Sequence, residues 1–424
     1  MDIVHAGFDA LDIAFSGHLP RPVERQLEGA RHAAQESMTD QLIEIGGIWG
    51  HVPDTGARGG YRWRFDTGPE GEIWTFKQAK RGDDWNIRVS VRAAALVARG
   101  WQGVKDDLYA TLNAMGGKIE KESISRLDFA VDILAPGFAP DPAAFVAHYA
   151  TRRAEHYETL PNEDFAIRRI GGGRIGTITL GKMPNRQVTI YNKRREVIDH
   201  RHHKSWWWQV WDLDRDDLEN EVWRVEVRLG KHHLKERWNV STWADIEAAM
   251  PDMLGAALED VRLCEPTADS NRARWSMHPL WQAALARVRD CFGLRTRIAP
   301  GKVRAERRHV IRNTYENLML GIAAGYAVTR NVTPADDGDL ADTLAGYVRD
   351  MLSYNITADR DAFLRKWAKA RNRLYFTHEG DDDAERGVRP DRGYPTADAG
   401  AIAYAGHAAC AGTGQGGGGV YEPA

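Results

Sequence analysis

Ser125-Arg126-Leu127-Asp128-Phe129-Ala130-Val131-Asp132 alternates with period two. Leu127, Phe129 and Val131 share one parity and are apolar; Arg126, Asp128 and Asp132 share the other and are charged. Successive strand side chains point to opposite faces, so the stretch reads as a strand with one core face and one charged face. Two further stretches repeat the pattern. In Val188-Thr189-Ile190-Tyr191-Asn192-Lys193, Val188 and Ile190 turn inward while Thr189, Tyr191 and Lys193 turn outward. In Arg224-Val225-Glu226-Val227-Arg228, the valines turn inward and Arg224, Glu226 and Arg228 outward. If the three strands are neighbours, one sheet face presents carboxylates, one tyrosine and several cations.

Upstream, Leu11-Asp12-Ile13-Ala14-Phe15 matches Leu127-Asp128-Phe129-Ala130-Val131 in residue type, position by position. The order of elements around each is also similar. After the first come a helical stretch from Pro22 to Ile43, strands at Tyr61 to Phe65, Glu72 to Phe76 and Trp85 to Val91, and a helix from Val104 to Met115 ended by Gly116-Gly117. After the second come a helix from Pro142 to Arg152, strands at Phe165 to Ile170, Thr177 to Leu180, Val188 to Lys193 and Trp223 to Leu229, and a helix from Val240 to Leu263. This predicts an α+β protein of two related lobes, residues 1–120 and 121–265, each an antiparallel-rich sheet with helices on one face. Helical periodicity then covers Pro279 to Cys291, Val303 to Val328, Asp339 to Tyr354 and Asp361 to Asn372, predicting a basic helical domain over 266–378. Residues 379–424 are rich in Gly, Ala, Asp and Pro; such a tail buries too little apolar surface to offset its ordering entropy, so disorder is expected.

The chain has 424 residues and a net charge of only −3, so global charge selects no partner. Local charge is more telling. Arg168 to Lys204 holds ten Lys/Arg against two acids, and Asn271 to Arg312 eleven against two. Such stretches read as anion-binding surfaces or as solvated helix faces. The three cysteines, Cys264, Cys291 and Cys410, lie far apart and lack metal spacing, which points to a reducing compartment. No secretory signal is visible, and the longest apolar run, Leu318 to Val328, is eleven residues. A membrane span needs about 20. A cytoplasmic protein is expected, without membrane contact.

The charged face could do chemistry. Carboxylates at close range repel, and a divalent metal relieves the repulsion; Mg²⁺ or Mn²⁺ prefers oxygen ligands and leaves positions for phosphate oxygens. Tyr191 could then attack phosphorus, with Lys193 and Arg194 stabilising the developing charge. A tyrosine nucleophile conserves the bond in a covalent phosphotyrosine, which suits strand rejoining. Plainer readings stand beside this. Asp128 could pair with Arg126, Glu226 with its flanking arginines, and Tyr191 could be a surface aromatic of a strand. Gly171-Gly172-Gly173 lacks a Walker pattern and reads as a hairpin turn. His200, His202, His203, His232 and His233 read as surface residues. Trp206-Trp207-Trp208 either stacks on unpaired bases or docks against a helix.

These blocks resemble the replication initiation factor family, the trans-acting rolling-circle initiators of plasmids and filamentous phages. Residues 125–132 resemble its Arg-hydrophobic-Asp-x-x-x-Asp strand. Gly176 to Gly181 with Ile190-Tyr191-Asn192-Lys193 and Glu196 resembles its glycine-ended strand and Tyr-Asn/Asp-Lys-x-x-Glu block. Arg224 to Arg228 resembles its Arg-x-Glu strand, and Gly7-Phe8-Asp9 with Leu11 fits the opening. The resemblance covers roughly residues 7 to 260. It implies two RNA-recognition-like folds and a nickase that cuts one strand at a double-strand origin, leaving a 5′-phosphotyrosine and a free 3′-hydroxyl. It implies Tyr191 as nucleophile, with Tyr149 and Tyr157 in reserve, and Asp128, Glu196, Glu226 and Asp132 as ligands of Mg²⁺ or Mn²⁺. Lys193 would assist the chemistry, and Arg126, Arg174, Lys182, Arg194, Arg224 and Arg228 would hold single- and double-stranded origin DNA. A rough alignment of the lobes sets Ser90 where Tyr191 lies, leaving one active lobe per chain; a homodimer would supply two tyrosines. Two other readings compete: a non-catalytic DNA-binding replication or regulatory protein, and a scaffold whose helical part recruits a host helicase.

Overall fold

Two long strands pair along their full length and fix the architecture. In chain order the strands are β1 (Asp2–His18), β2 (Gln41–Ile45), β3 (Ile48–Val52), β4 (Trp63–Asp66), β5 (Glu72–Phe76), β6 (Ile87–Val91), β7 (Lys118–Leu134), β8 (Phe145–His148), β9 (Ala154–Glu155), β10 (Phe165–Arg169), β11 (Ile175–Gly181), β12 (Arg186–Asn192), β13 (Val222–Gly230) and β14 (Val261–Leu263). The helices are α1 (Arg21–Ser37), α2 (Ala93–Ala114), α3 (Lys193–Asp199), α4 (Trp207–Trp211), α5 (Trp243–Asp260), α6 (Pro279–Val288), α7 (Lys302–Thr329), α8 (Asp337–Ala358) and α9 (Arg360–Arg373). The computed structural model describes residues 1–78, 85–148, 154–155, 165–170, 173–199, 204–292, 302–329 and 337–377. They belong to the first of two units, Met1–Glu379 and Gly380–Ala424.

Eleven strands form one antiparallel sheet in the order β10-β11-β12-β13-β7-β1-β6-β5-β4-β3-β2. β14, β8 and β9 form a small second sheet. The protein is thus α+β, as expected, but the two halves share one continuous sheet because β1 pairs directly with β7, from Asp2 opposite Leu134 to His18 opposite Lys118. The two matching pentads meet at the centre, Leu11 opposite Leu127. Within each half the first strand lies beside the last, β1 beside β6 and β7 beside β13.

One sheet face is apolar. Leu11, Ile13, Phe15, Leu127, Phe129, Val131, Val188, Ile190, Val225 and Val227 pack in one core with Leu27 of α1, Leu108 of α2, Leu254 of α5 and Trp281 of α6. This is the parity read from the sequence. The other face keeps the charged residues. Burial of the apolar face drives the fold, at roughly 25 cal/mol per Å² of apolar area removed from water.

Several local expectations change. The stretch from Pro22 to Ile43 is not one helix. It ends at Ser37, with Met38 left-handed, and Gln41–Ile45 forms a hairpin with Ile48–Val52. Gly46 and Gly47 make the turn at φ 61° and 87°, the positive values a two-residue hairpin turn demands. A Cβ on Gly46 would lie 2.1 Å from the Ala114 carbonyl oxygen at the end of α2. Gly46→Ala is therefore expected to cost about 2 kcal/mol or more, read as a lower urea midpoint at constant slope. Where a helix was expected from Pro142 to Arg152, a single 3₁₀ turn (Pro142–Ala144) leads into β8, whose Phe145 and Ala147 join the core; residues 149–153 lie outside the described set. The helix from Val104 begins earlier, at Ala93, and breaks at Gly100 (φ 69°). The helix before Leu263 starts behind a Thr242–Asp245 capping box and stops at Asp260, where β14 begins.

His233 is buried, not on the surface, and its Nε2 accepts a hydrogen bond from Trp238 Nε1 at 3.1 Å. Burial, with Arg186 and Arg237 nearby, pushes its pKa from 6.5 down to about 4. Between those values the unfolded chain takes up a proton that the fold refuses, so this stability is present at neutral pH and lost as pH falls. The urea midpoint is expected to drop as pH falls from about 7 to about 5, and His233→Gln should flatten that slope. An unchanged slope in the variant would rule the histidine out. His232 is exposed, and His200, His202 and His203 lie outside the described residues, as do Cys410 and the tail. Cys264 and Cys291 are buried free thiols. No described helix is long and apolar enough to cross a membrane.

Candidate active site

The register sets the charged face out in rows. One row reads Thr177, Tyr191, Arg224, Asp132 and His5 across β11, β12, β13, β7 and β1. The next reads Thr179, Thr189, Glu226, Ala130 and Gly7, and the third Gly181, Gln187, Arg228, Asp128 and Ala10. The three stretches singled out in the sequence are therefore adjacent strands. Asp128 and Glu226 lie diagonally on one face, and Ala130 and Gly7 share the row of Glu226.

Asp128 and Glu226 are both buried. Arg126 grips Asp128 through Nε (3.0 Å) and Nη2 (2.5 Å), and Arg228 grips Glu226 through Nε (2.8 Å) and Nη2 (3.1 Å). Burial raises the Asp128 pKa from 3.8 to about 6; Arg126 opposes the rise and Glu226 adds to it. Two carboxylates thus sense each other at this point.

Tyr191 is partly exposed and borders a cleft of ≈ 360 Å³ that Glu196, Arg195, Arg168 and Arg228 also line. Among the described residues no group hydrogen-bonds its hydroxyl. Burial and the Glu226 carboxylate raise the phenol pKa well above 10, against the pull of Arg224. Lys193 does not sit on the strand face. The strand stops at Asn192, and Lys193 opens α3, buried, with Nζ 5.5 Å from the Tyr191 ring and 5.1 Å from the Trp207 ring. Burial and the Arg224 charge lower its pKa. Glu196, one turn on, takes ion pairs from Lys193 and Lys204. Burial opposes its ionisation, but these two ammonium groups hold its pKa at about 2.

Asp132 and Arg224 are placed in the interior. Arg224 is 0% exposed and donates to Asp132 through Nε (2.5 Å) and Nη2 (2.8 Å) and to Asp9 through Nη1 (2.6 Å). Trp211 Nε1 donates to Asp132 at 2.8 Å, and the Arg224 guanidinium lies 4.3 Å from the Trp207 ring centroid. Trp206, Trp207 and Trp208 are all buried against Val4 of β1 and Ala94, Val97 and Ala98 of α2. The tryptophan run thus docks rather than offering stacking faces to bases. Arg194 packs over Trp208 at 5.8 Å. Arg174 is exposed at the Tyr191 end of the β10–β11 hairpin, next to Gly173 at φ 75°, while Lys182 lies at the opposite end of β11. Tyr149 and Tyr157 lie outside the described residues.

Three site residues were not singled out for these roles by sequence. Asp9 sits at a register shift between Phe8 and Ala10, and this bulge carries it to Arg224. Its only signal was the Gly7-Phe8-Asp9 opening. Trp207 and Trp211 form the roof. The first half has no counterpart of Tyr191: Ser90 lies opposite Asp12 as Arg228 lies opposite Asp128, so Ser90 matches Arg228. The position matching Tyr191 is Lys77, whose N–H bonds the Asn86 carbonyl.

Among the described residues no three His, Cys, Asp or Glu side chains converge on a metal position. Asp128 and Glu226 are two carboxylates on one face, and Mg²⁺ is commonly held by one or two protein carboxylates with phosphate oxygens completing the shell. That donor pair is of the type such an ion takes, but an arginine already pairs with each carboxylate.

Against known proteins, no family model and no curated protein matches the chain. Among solved structures it is similar to a rolling circle replication initiator protein from Geobacillus stearothermophilus, at 16% identity and a TM-score of 0.37, over 69% of this chain and 99% of that one. A likeness that loose carries no argument about chemistry, which rests on the site's own residues.

Proposed function

We propose that this protein initiates rolling-circle replication by nicking one DNA strand at an origin. The observation that carries the reading is Tyr191, its hydroxyl unbonded among the described residues, at a cleft that Glu196, Arg168, Arg195 and Arg228 also line, on the sheet face that carries Glu226 on the neighbouring strand and Asp128 on the next. The two halves, each with its first strand beside its last, are in keeping with a pair of RNA-recognition-like folds, of which the second has Tyr191 where the first has Lys77. In the reaction the Tyr191 oxygen bonds to phosphorus and gives up its proton, the bond to the 3′-oxygen breaks, and that oxygen takes up a proton to leave as a hydroxyl, so that no proton is gained or lost overall. The product is a 5′-phosphotyrosine. Lys193 and Arg228 favour the charge that builds on the phosphoryl oxygens. Asp128 and Glu226 would hold Mg²⁺ or Mn²⁺, which when bound would offset the Glu226 charge that keeps the Tyr191 proton in place and would polarise the phosphodiester. Arg126, Arg168, Arg174 and Arg195 would position the strand through its phosphates. Two chains, as a homodimer, would bring two tyrosines, and a host helicase would act on the exposed strand.

One observation favours a non-catalytic DNA-binding role instead: each carboxylate is already held by an arginine. The test is labelled single-stranded origin DNA incubated with the protein and Mn²⁺ or EDTA. A denaturant-stable adduct formed only with Mn²⁺ supports nicking, whereas tight binding without an adduct supports the alternative. Asp128→Asn and Glu226→Gln are each expected to weaken Mn²⁺ binding about tenfold or more by calorimetry; wild-type affinity in both would remove these residues from the metal site.

A further inference from the structure

We propose that the C-terminal helices and the first half together form a separate site for the phosphate of a nucleotide unit, held between Arg92, Arg307 of α7 and Arg373 of α9. A cleft of ≈ 640 Å³ lies between α7 and the strand ends where His51 of β3 pairs with Asp66 of β4. Its size is within the range of small-molecule sites. The three arginines line it together with Asp40 and Asp66. Asp66 is already engaged: Arg92 Nη2 donates to both its oxygens, at 2.9 and 2.7 Å, and Arg64 lies at 3.2 Å. Among the described residues Arg373 donates only to a neutral group, the Tyr315 hydroxyl at 2.9 Å. Arg307 makes no hydrogen bond or ion pair among the described residues. Burial and the nearby Arg92 charge lower its pKa, and the Asp66 carboxylate, shared with Arg92 and Arg64, offsets this only in part.

A phosphate would add a counter-ion that Arg307 does not have to share. Guanidinium groups bind phosphate oxygens through paired, charge-assisted hydrogen bonds, and three of them can share one group. The aromatic side chains of Tyr315 and Phe376 also line the cleft, and Tyr315 is 41% exposed. Aromatic faces accept bases by stacking whatever the base. Cations with aromatics in one cleft favour a nucleotide over a bare anion. The site lies in the half of the sheet without Tyr191, so it does not rest on the nicking reading. The nucleotide unit could be free or part of a strand.

Calorimetric titration of the full-length protein with 5′-dTMP, with thymidine and with a short oligothymidylate separates these cases. Wild type is expected to bind dTMP and to bind thymidine at least about tenfold more weakly. Arg307→Ala should weaken phosphate-bearing probes about ten- to a hundredfold with an unchanged thermal midpoint, and Arg307→Lys should fall between. If Arg307 matters for the oligothymidylate but dTMP does not bind, the natural ligand is a strand; if dTMP responds as well, a free nucleotide suffices. Wild-type affinity of Arg307→Ala for both phosphate probes, or thymidine binding as tightly as dTMP, overturns the proposal.

Discussion

Arg224→Leu is expected to lower the stability of the fold by about 3–5 kcal/mol, the loss typical of a buried ion pair stripped of one partner. Arg224 is fully buried, and its guanidinium joins Asp132 on β7 to Asp9 on β1 under the Trp207 ring. Removing it leaves Asp132, fully buried, with a single donor among the described residues, Trp211 Nε1. Asp9 would keep Lys193 and Lys204 nearby, which with Arg224 hold its pKa well below the carboxylate range despite burial. The damage should therefore fall mainly on Asp132. Against a total stability of roughly 5–15 kcal/mol, that loss is large. The decisive measurement is a double-mutant cycle by urea unfolding. Asp132→Leu alone should also destabilise, and Arg224→Leu with Asp132→Leu should recover much of the loss, because neither charge is then stranded. Strictly additive losses would mean that the pair is not coupled.

Tyr191→Phe is expected to abolish the covalent DNA adduct, lowering its rate of formation by about a thousandfold or more, as loss of a nucleophile does. The substitution removes one oxygen and keeps the ring, so the Lys193 cation–π contact at 5.5 Å and the cleft survive. DNA affinity and unfolding midpoint should change little, which separates chemistry from binding. Burial and Glu226 keep the phenol protonated in the resting protein, so Tyr191 must lose its proton during the reaction rather than before it. An adduct that persists in the variant would assign the attack to another tyrosine.

The sequence alone determined the strands that matter and the face each side chain takes. Period two is a local property, and Leu127, Phe129, Val225 and Val227 lie in the core while Asp128, Glu226 and Arg228 lie on the other side, as their parity requires. The α+β class and the matching pentads were legible for the same reason. Strand edges were less so, because a hairpin such as Gln41–Val52 is decided by its Gly46-Gly47 turn and its partner rather than by propensity. Only the tertiary structure decided which charged residues stay accessible. Asp132 and Asp128 share a parity, yet α4 closes over the Asp132–Arg224 row and leaves the row of Asp128 and Arg228 partly open. Asp9 reaches Arg224 through a bulge, and Lys193 leaves the strand face because a helix starts there. Burial, bulges and pairing depend on segments far apart in the chain, whereas alternation needs only neighbours, and that is the physical line between the two.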